Sequence, residues 1–380
     1  MNSTNSEVSR AEPPRVCQLI TELGPGGAER SVYELSRRLD RRRFDVQVVA
    51  LRGGVFAERL AEAGVKAAVL GVRGRWDLAK LAGLAGLLRR ERIDILHTHL
   101  FHADLVGRAA AYLAGTPHLV HTVRTAEARF RPWQFAFSRM LARQCERIVC
   151  VSPSVRSHHA RKSGLPADRY TVIPNGVDLR AFVRDEEARE RLRQEWQIPP
   201  SRVLAAYVGR LSREKGIDTL LATMSRLAAQ GKAADLVIAG DGPLGPKVGR
   251  FVSSGQGERR VRWLGFVPDV RGVLSAADFL VMPSRWEGCP VGLVEAMAVG
   301  LPAAASRVAG VVDVAVGGRT ALLVPPEDPP ALAGAIRRLI DDAGLRARLG
   351  NAALRRAREF AIEATVAGHE RLYDSLMAGR

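Results

Sequence analysis

The sequence predicts an α/β protein made of two doubly wound parallel domains in tandem, facing each other across a cleft. Three observations predict it. Short apolar, β-branched runs alternate with longer helical patterns along the whole chain, the sequence form of parallel strands joined by crossover helices. The series stops at a highly charged stretch, Asp185–Gln197, and a Pro199-Pro200 pair, then starts afresh. The chain has 380 residues, 47% of them hydrophobic, which suits two full-sized cores rather than one.

Taken in order, the first series of strands is Val16–Ile20, Val46–Leu51, Ala67–Leu70, Ile93–His97, Leu119–Val123 and Ile148–Val151, with helical stretches such as Ala28–Leu39 and Leu78–Arg90 between them. The second is Val203–Val208, Leu236–Ala239, Val261–Leu264, Phe279–Met282, Ala303–Ser306 and Ala321–Val324. Helices must cover both faces of such sheets. The expected division is a disordered tail at 1–14, one domain over 15–184, a helix and linker at 185–200, the second domain over 201–358, and a last helix at 359–380 that packs back on the first domain.

Aromatic residues are only 6% of the chain, so the cores should rest on Leu, Val and Ala. No apolar run approaches the roughly 18–20 residues a spanning helix needs, and the polar opening Met1–Pro14 has no hydrophobic stretch to act as a secretory signal. A cytoplasmic location is expected. The four cysteines, Cys17, Cys145, Cys150 and Cys289, make no CxxC pair and read as reduced, buried thiols. A net charge of +17 raises the local concentration of anionic partners. No DNA- or RNA-binding signature accompanies it, which disfavours nucleic acid. Arginines filling solvated helix faces and a surface resting on the anionic inner face of the plasma membrane both remain open.

In open α/β sheets, ligands sit beyond the carboxyl ends of the strands. The first strand ends in Glu22-Leu23-Gly24-Pro25-Gly26-Gly27-Ala28-Glu29-Arg30, where glycines admit close backbone approach and the next helix turns its N-terminus toward a ligand. The loop lacks GxGxxG spacing and a P-loop Lys-Ser/Thr, which argues against a dinucleotide oxidoreductase and an NTPase. In the second half, Val208-Gly209-Arg210-Leu211-Ser212-Arg213-Glu214-Lys215-Gly216 carries cations suited to neutralising a diphosphate without a metal. Ordinary surface charge is the competing reading. Further on, Ser284 to Pro302 runs from a strand through a small-residue loop into a helix beginning near Pro290, with Glu287 and Glu295 flanking its start. Carboxylates there are suited to vicinal hydroxyls of a sugar or ribose; solvated helix charges are the bland alternative.

The segment EGCPVGLVEAMAVGLP, with seven residues between Glu287 and Glu295, resembles the signature of the retaining glycosyltransferases of group one, family four. The resemblance covers nearly the whole chain: GPGGAER, HTHLFHADLVGR at 97–108, VSPSVRSHH at 151–159, IPNGVDLRAF at 173–182, GRLSREKG, AGDGPL, LGFVPD and ALLVPPED fit in order and spacing. It implies the GT-B architecture of two Rossmann-like domains, the first binding acceptor and the second the nucleotide-sugar donor. It further implies that Arg210 and Lys215 hold the donor diphosphate, Glu287 the donor-sugar hydroxyls and Glu295 the ribose. Backbone N–H groups around Gly288, Cys289 and Val291 would meet sugar or phosphate, with Gly26 and Gly27 facing the phosphates from the other domain. No metal or other cofactor is implied, and a hexose from a nucleotide-diphosphate sugar, UDP-sugar favoured, would pass with retained configuration to a saccharide or lipid-linked acceptor of a surface polysaccharide.

Three positions depart from the family pattern. Its histidine near the fifth strand is replaced in His121-Thr122-Val123-Arg124, so Arg124 supplies a cation there, or His121 or His99 does the histidine's work. Its G-x-P-E becomes Gly310-Val311-Val312-Asp313, one methylene shorter, and Cys289 stands where a larger residue is usual. His97, His99 and His102 cluster without a carboxylate pair at ligand spacing, which disfavours a metal site. The aromatic and arginine-rich stretch Arg129–Arg139 is the candidate for touching lipid or a lipid-linked acceptor. Two rival readings are a GT-B nucleotide-sugar epimerase or hydrolase, and a non-catalytic basic protein that binds membrane or nucleic acid.

Overall fold

Among the described residues all twelve expected strands form, and a thirteenth joins them. The computed structural model describes residues 12–72, 77–125, 132–231, 234–255 and 260–379. The strands are β1 (Arg15–Glu22), β2 (Asp45–Arg52), β3 (Lys66–Val69), β4 (Ile95–His99), β5 (His118–Val123), β6 (Arg147–Cys150), β7 (Tyr170–Val172), β8 (Leu204–Val208), β9 (Asp235–Ala239), β10 (Val261–Gly265), β11 (Phe279–Met282), β12 (Ala303–Ser306) and β13 (Ala321–Val324). They build two parallel-stranded sheets, one ordered β3-β2-β1-β4-β5-β6-β7 and the other β10-β9-β8-β11-β12-β13. In each, the order reverses beside the first strand of the series, between β1 and β4 and between β8 and β11. Those two reversals are the doubly wound arrangement the strand and helix alternation predicts.

Two boundaries differ from the sequence expectation for a physical reason. The fourth strand runs from Ile95 to His99 rather than Ile93 to His97, because its histidines are buried with partners. The rings of His97 and His99, two residues apart and so on one face, stack at 4.3 Å. The His97 ring nitrogens lie 2.6 Å from the Tyr373 and Thr122 hydroxyls, and His99 Nε2 lies 2.6 Å from Gln18 Oε1. The glutamate-bearing helix spans Val291–Ala298, with Pro290 as its N-cap instead of a first-turn residue.

Contacts divide the chain into two compact units, Met1–Thr122 with Ala142–Ile148 and His369–Arg380, and Val123–Leu141 with Val149–Gly368. In the first, Ile20, Leu23, Val48, Ala50, Phe56 and Leu60 pack the face of β1 and β2. In the second, the helix Ile217–Ala229 and the helix Pro329–Asp341 press Leu220, Met224, Leu227, Leu332, Ile336 and Leu339 onto β8, β9 and β11. The four cysteines are buried thiols, and burial pushes each up to about 12, so none is a thiolate near neutral pH.

The charged stretch ahead of the second series is a helix, Glu186–Glu195, started by Asp185, whose carboxylate accepts from the Ala188 N–H at 2.9 Å. Its buried face holds Asp278 at the foot of β11: Arg189 Nη2 donates to Oδ1 at 2.7 Å, Arg193 Nη1 to Oδ2 at 3.2 Å, and the Leu204 N–H to Oδ2 at 2.7 Å. Burial pushes Asp278 up, but the Leu204 N–H and the two guanidinium groups outweigh it and hold its carboxyl below the ordinary range. A depressed folded-state value means stability present at neutral pH and lost as pH falls through that value. Asp278→Ala, which takes from Arg189 and Arg193 the carboxylate they share and leaves them only carbonyl partners nearby, should cost about 3–5 kcal/mol at pH 7. Denaturant unfolding should show the gap between variant and wild type narrowing as the pH is lowered toward 3; a gap independent of pH would mean that the carboxylate's charge is not what stabilises.

Candidate active site

The reversal between β8 and β11 directs attention to two loops, 209–216 after β8 and 283–290 after β11, because a ligand enters a doubly wound sheet at that position. The loops are interlocked. Gly216 has φ +67°, and a β-carbon there would lie 1.9 Å from the Pro283 carbonyl oxygen, so any other residue would force them apart. The Arg285 N–H donates to the Glu214 carbonyl at 2.8 Å, and Ser212 Oγ to Glu214 Oε1 at 2.5 Å.

On this frame Lys215 and Glu287, 72 residues apart in sequence, meet side by side. Lys215 Nζ donates to both carboxylate oxygens, at 2.7 and 2.9 Å, and Ser284 Oγ donates to Oε1 at 2.7 Å. Glu287 is 6% exposed while the Lys215 side chain is 29% exposed, so the acid is the buried member of the pair and the lysine the more accessible one. The phenol of Tyr207 donates to the Arg210 carbonyl at 3.0 Å and settles that backbone, leaving the Arg210 side chain exposed. Burial first, then the charges of Glu287 and Glu214, hold Tyr207 well above its ordinary value, so it stays a neutral donor.

Glu295 lies in the second turn of Val291–Ala298 and is only 2% exposed, among buried Leu293, Ala296 and Met297. That rules out a solvated helix charge. No side chain caps this helix at Pro290, and its first turn carries Val291 and Gly292. Just before it, Gly288 comes so close to the Arg124 backbone that a β-carbon would lie 1.8 Å from the Arg124 carbonyl oxygen. Arg124 Nη1 donates to Asn175 Oδ1 at 3.0 Å, and Asn175 Nδ2 donates to the Cys289 carbonyl at 2.9 Å. The structure therefore gathers Arg124, Gly288 and Cys289, while Lys215 joins Glu287, the residue immediately before Gly288.

The histidine alternatives are placed differently. His121, 7% exposed, directs Nδ1 at Thr98 Oγ1 (3.0 Å) and Asp104 Oδ1 (3.3 Å), while Arg108 Nε donates to Asp104 Oδ2 at 2.9 Å. Burial acts to raise Asp104, but His121, Arg108 and Thr98 together hold it below its ordinary range. His99 is fully buried against Gln18. Both rings belong to packed polar networks. The Asp313 carboxylate, shortened relative to the family pattern, accepts from the Ser154 N–H at 3.1 Å in the first turn of the helix Pro153–Ser163. Among the described residues no three His, Cys, Asp or Glu side chains gather as a metal-ligand set.

In the first unit, Gly26 N-caps the helix Gly27–Arg38, and Glu29 Oε2 fills the place of a Gly26 β-carbon, 2.1 Å from it. Gly27 faces open space. A carboxylate already stands at that helix start, a feature that sequence reasoning missed although GGAE spells it out. Asn175 and Ser284 were also missed: nothing in IPNGVD announces a partner 114 residues away, and Ser284 stands only three residues before Glu287 in MPSRWEG, near enough to have been read from the loop. Of the stretch Arg129–Arg139, residues 129–131 lie outside the described residues; Trp133 is exposed, whereas Phe135 is buried against His159. No helix among the described residues is long and apolar enough to cross a membrane.

The family model for glycosyl transferases group 1 matches residues 202–342, and that for glycosyltransferase family 4 matches residues 25–181. The chain is 31% identical to a 2-deoxystreptamine N-acetyl-D-glucosaminyltransferase of Streptomyces fradiae, over 84% of this chain and 83% of the relative. It is 27% identical to an Escherichia coli UDP-Gal:alpha-D-GlcNAc-diphosphoundecaprenol alpha-1,3-galactosyltransferase, over 82% of each chain. Its fold matches that of Anabaena HepE, solved in complex with UDP and glucose, at a TM-score of 0.84 and 22% identity, over 95% of this chain and 100% of that one.

Proposed function

The chain belongs to the glycosyl transferases of group 1, and from that premise we propose that it is a retaining hexosyltransferase using a UDP-sugar without a metal. The observation that carries the proposal is the Lys215–Glu287 pair at the β8/β11 reversal, with exposed Arg210 on the same loop as Lys215. A glycosyl diphosphate needs cations where leaving-group charge grows and a carboxylate where the sugar hydroxyls lie. The hydrogen-bonded contact of Lys215 with Glu287 supports both functions at one site. Arg210 and Lys215 take the diphosphate, Glu287 orients the sugar, and buried Glu295 accepts from the ribose hydroxyls. Backbone N–H groups of Cys289 and Val291 complete the anion side.

Arg124 supplies the cation at the position where the family has histidine. It is the one of the three alternatives joined to the Gly288–Cys289 turn, whereas His121 and His99 are held in packed networks. Transfer proceeds from the front face: the bond between anomeric carbon and phosphate oxygen breaks, the acceptor hydroxyl attacks the same face, and its proton passes to the departing phosphate oxygen. UDP is favoured because the Escherichia coli relative is named for UDP-Gal and HepE was solved with UDP. The acceptor is a saccharide hydroxyl of a growing or lipid-linked polysaccharide, for which the diphosphoundecaprenol acceptor in the same relative's name is the support. Exposed Trp133 and the +17 charge support contact with an anionic membrane surface.

The test is a panel of UDP-, GDP- and ADP-hexoses incubated with EDTA-treated protein, following nucleotide release and the product's anomeric configuration. A UDP-sugar should turn over at a rate that excess EDTA leaves nearly unchanged, with configuration retained. A rate abolished by EDTA and restored only by Mg²⁺ or Mn²⁺, or an inverted product, would overturn the reading.

A further inference from the structure

We propose that Asn175 is a positioning residue, holding the Arg124 guanidinium and the Gly288–Cys289 turn in fixed register with each other; this rests on the functional reading above. Both ends of its amide are in use. Oδ1 accepts from Arg124 Nη1 at 3.0 Å while Nδ2 donates to the Cys289 carbonyl at 2.9 Å. A third link runs the other way, from the Cys289 thiol to the Asn175 carbonyl at 3.8 Å. With burial pushing that thiol up to about 12, it remains a protonated donor. A donor on one side and an acceptor on the other make an amide the only side chain of this size that satisfies both neighbours.

The backbone that presents Asn175 is itself clamped. The Pro174 carbonyl accepts from Thr365 Oγ1 at 2.9 Å. On the other side, the Val177 N–H donates to the Phe360 carbonyl at 2.9 Å, and the Ile362 N–H to the Val177 carbonyl at 3.0 Å. Between them Gly176 leaves no room for a β-carbon, which would lie 2.6 Å from Ile362 Cα and 2.5 Å from Thr365 Oγ1. Asn175 thus stands on a clamped segment and joins two groups that come from remote parts of the chain. Arg124 is 51 residues away in sequence and Cys289 is 114. A cation working on a developing phosphate charge and an N–H working on the same group must keep a fixed separation, and a misplacement of about 1 Å costs on the order of 10²-fold in rate.

The experiment is a double-mutant cycle of Asn175→Ala and Arg124→Ala, with the near-isosteric Asn175→Asp as a third single variant. Each is read as kcat, KM for the donor, and UDP affinity. Asn175→Ala should lower kcat about 10–10²-fold with UDP affinity changed less than about threefold. In the Arg124→Ala background the same change should have less than half that effect on a logarithmic scale, because the positioned group is gone. Asn175→Asp keeps the acceptor for Arg124 but turns the other oxygen against the Cys289 carbonyl, so it should recover only part of the loss. Full additivity of the two alanine changes, or an Asn175→Ala variant with wild-type kcat, overturns the positioning role. Arg124→Ala with wild-type kcat overturns the functional reading on which it rests, and the two failures are thereby distinct. If Asn175→Ala does not fold, full activity in Asn175→Asp still overturns the proposal and a kcat loss there supports it.

Discussion

Lys215→Ala should transfer sugar about 10²–10³-fold more slowly than wild type, the usual consequence of deleting one charge-stabilising contact to a leaving group. Lys215 also neutralises Glu287, which is 6% exposed and otherwise accepts from Ser284 Oγ. Its removal leaves a buried carboxylate short of a partner, so stability should fall as well, by about 1–3 kcal/mol, and the melting temperature with it. Both cations lie on the one loop after β8, and the ion pair with Glu287 separates their effects on the fold. Arg210→Ala, removing an exposed side chain, should slow transfer by a similar factor while leaving the melting temperature within about a degree or two of wild type. Steady-state kinetics and thermal melts on both variants check this. Near-wild-type rates in both would mean that the diphosphate lies elsewhere.

The second large effect separates the two glutamates. Glu295 is assigned to the ribose, which is unchanged during transfer, so its contact is nearly equal in ground and transition states and its loss appears mainly in KM. Glu287 is assigned to the transferred hexose, whose ring flattens and gains positive charge as the bond breaks, so its loss appears in kcat. Glu295→Gln should weaken free UDP binding with a modest change in kcat. Glu287→Gln should bind UDP normally and turn over on the order of 10²-fold more slowly. Opposite behaviour would mean that the two roles are exchanged, and two silent variants would remove both residues from the site.

Most of the fold was legible because parallel strands buried on both faces read as apolar runs, and twelve of them alternate with helical patterns. What escaped was β7. Tyr170–Val172 is three residues long and lies at a sheet edge behind Asp168 and Arg169, too short to show a period. The register of β4 escaped too, because His97 and His99 are polar by type yet fully buried through mutual stacking and hydrogen bonds to Gln18, Thr122 and Tyr373. The candidate site residues could be named one at a time from their loops. Their pairing was not, because Lys215 and Glu287 are 72 residues apart and are joined only through the order of β8 and β11. Asn175 was invisible for the same reason: its importance comes from two partners in remote segments, and its own motif reads as a turn.

The most direct measurement is a calorimetric titration of UDP, in EDTA, into wild-type protein and into the Arg210→Ala/Lys215→Ala double variant. The central claim is that the donor diphosphate is held by those two cations at the β8/β11 reversal. Expected is saturable binding to wild type without a divalent metal and at least about a hundredfold weaker binding to the double variant, two charge-assisted contacts at about 1.5–3 kcal/mol each. Equal affinities for the two proteins, both melting cooperatively, would contradict it.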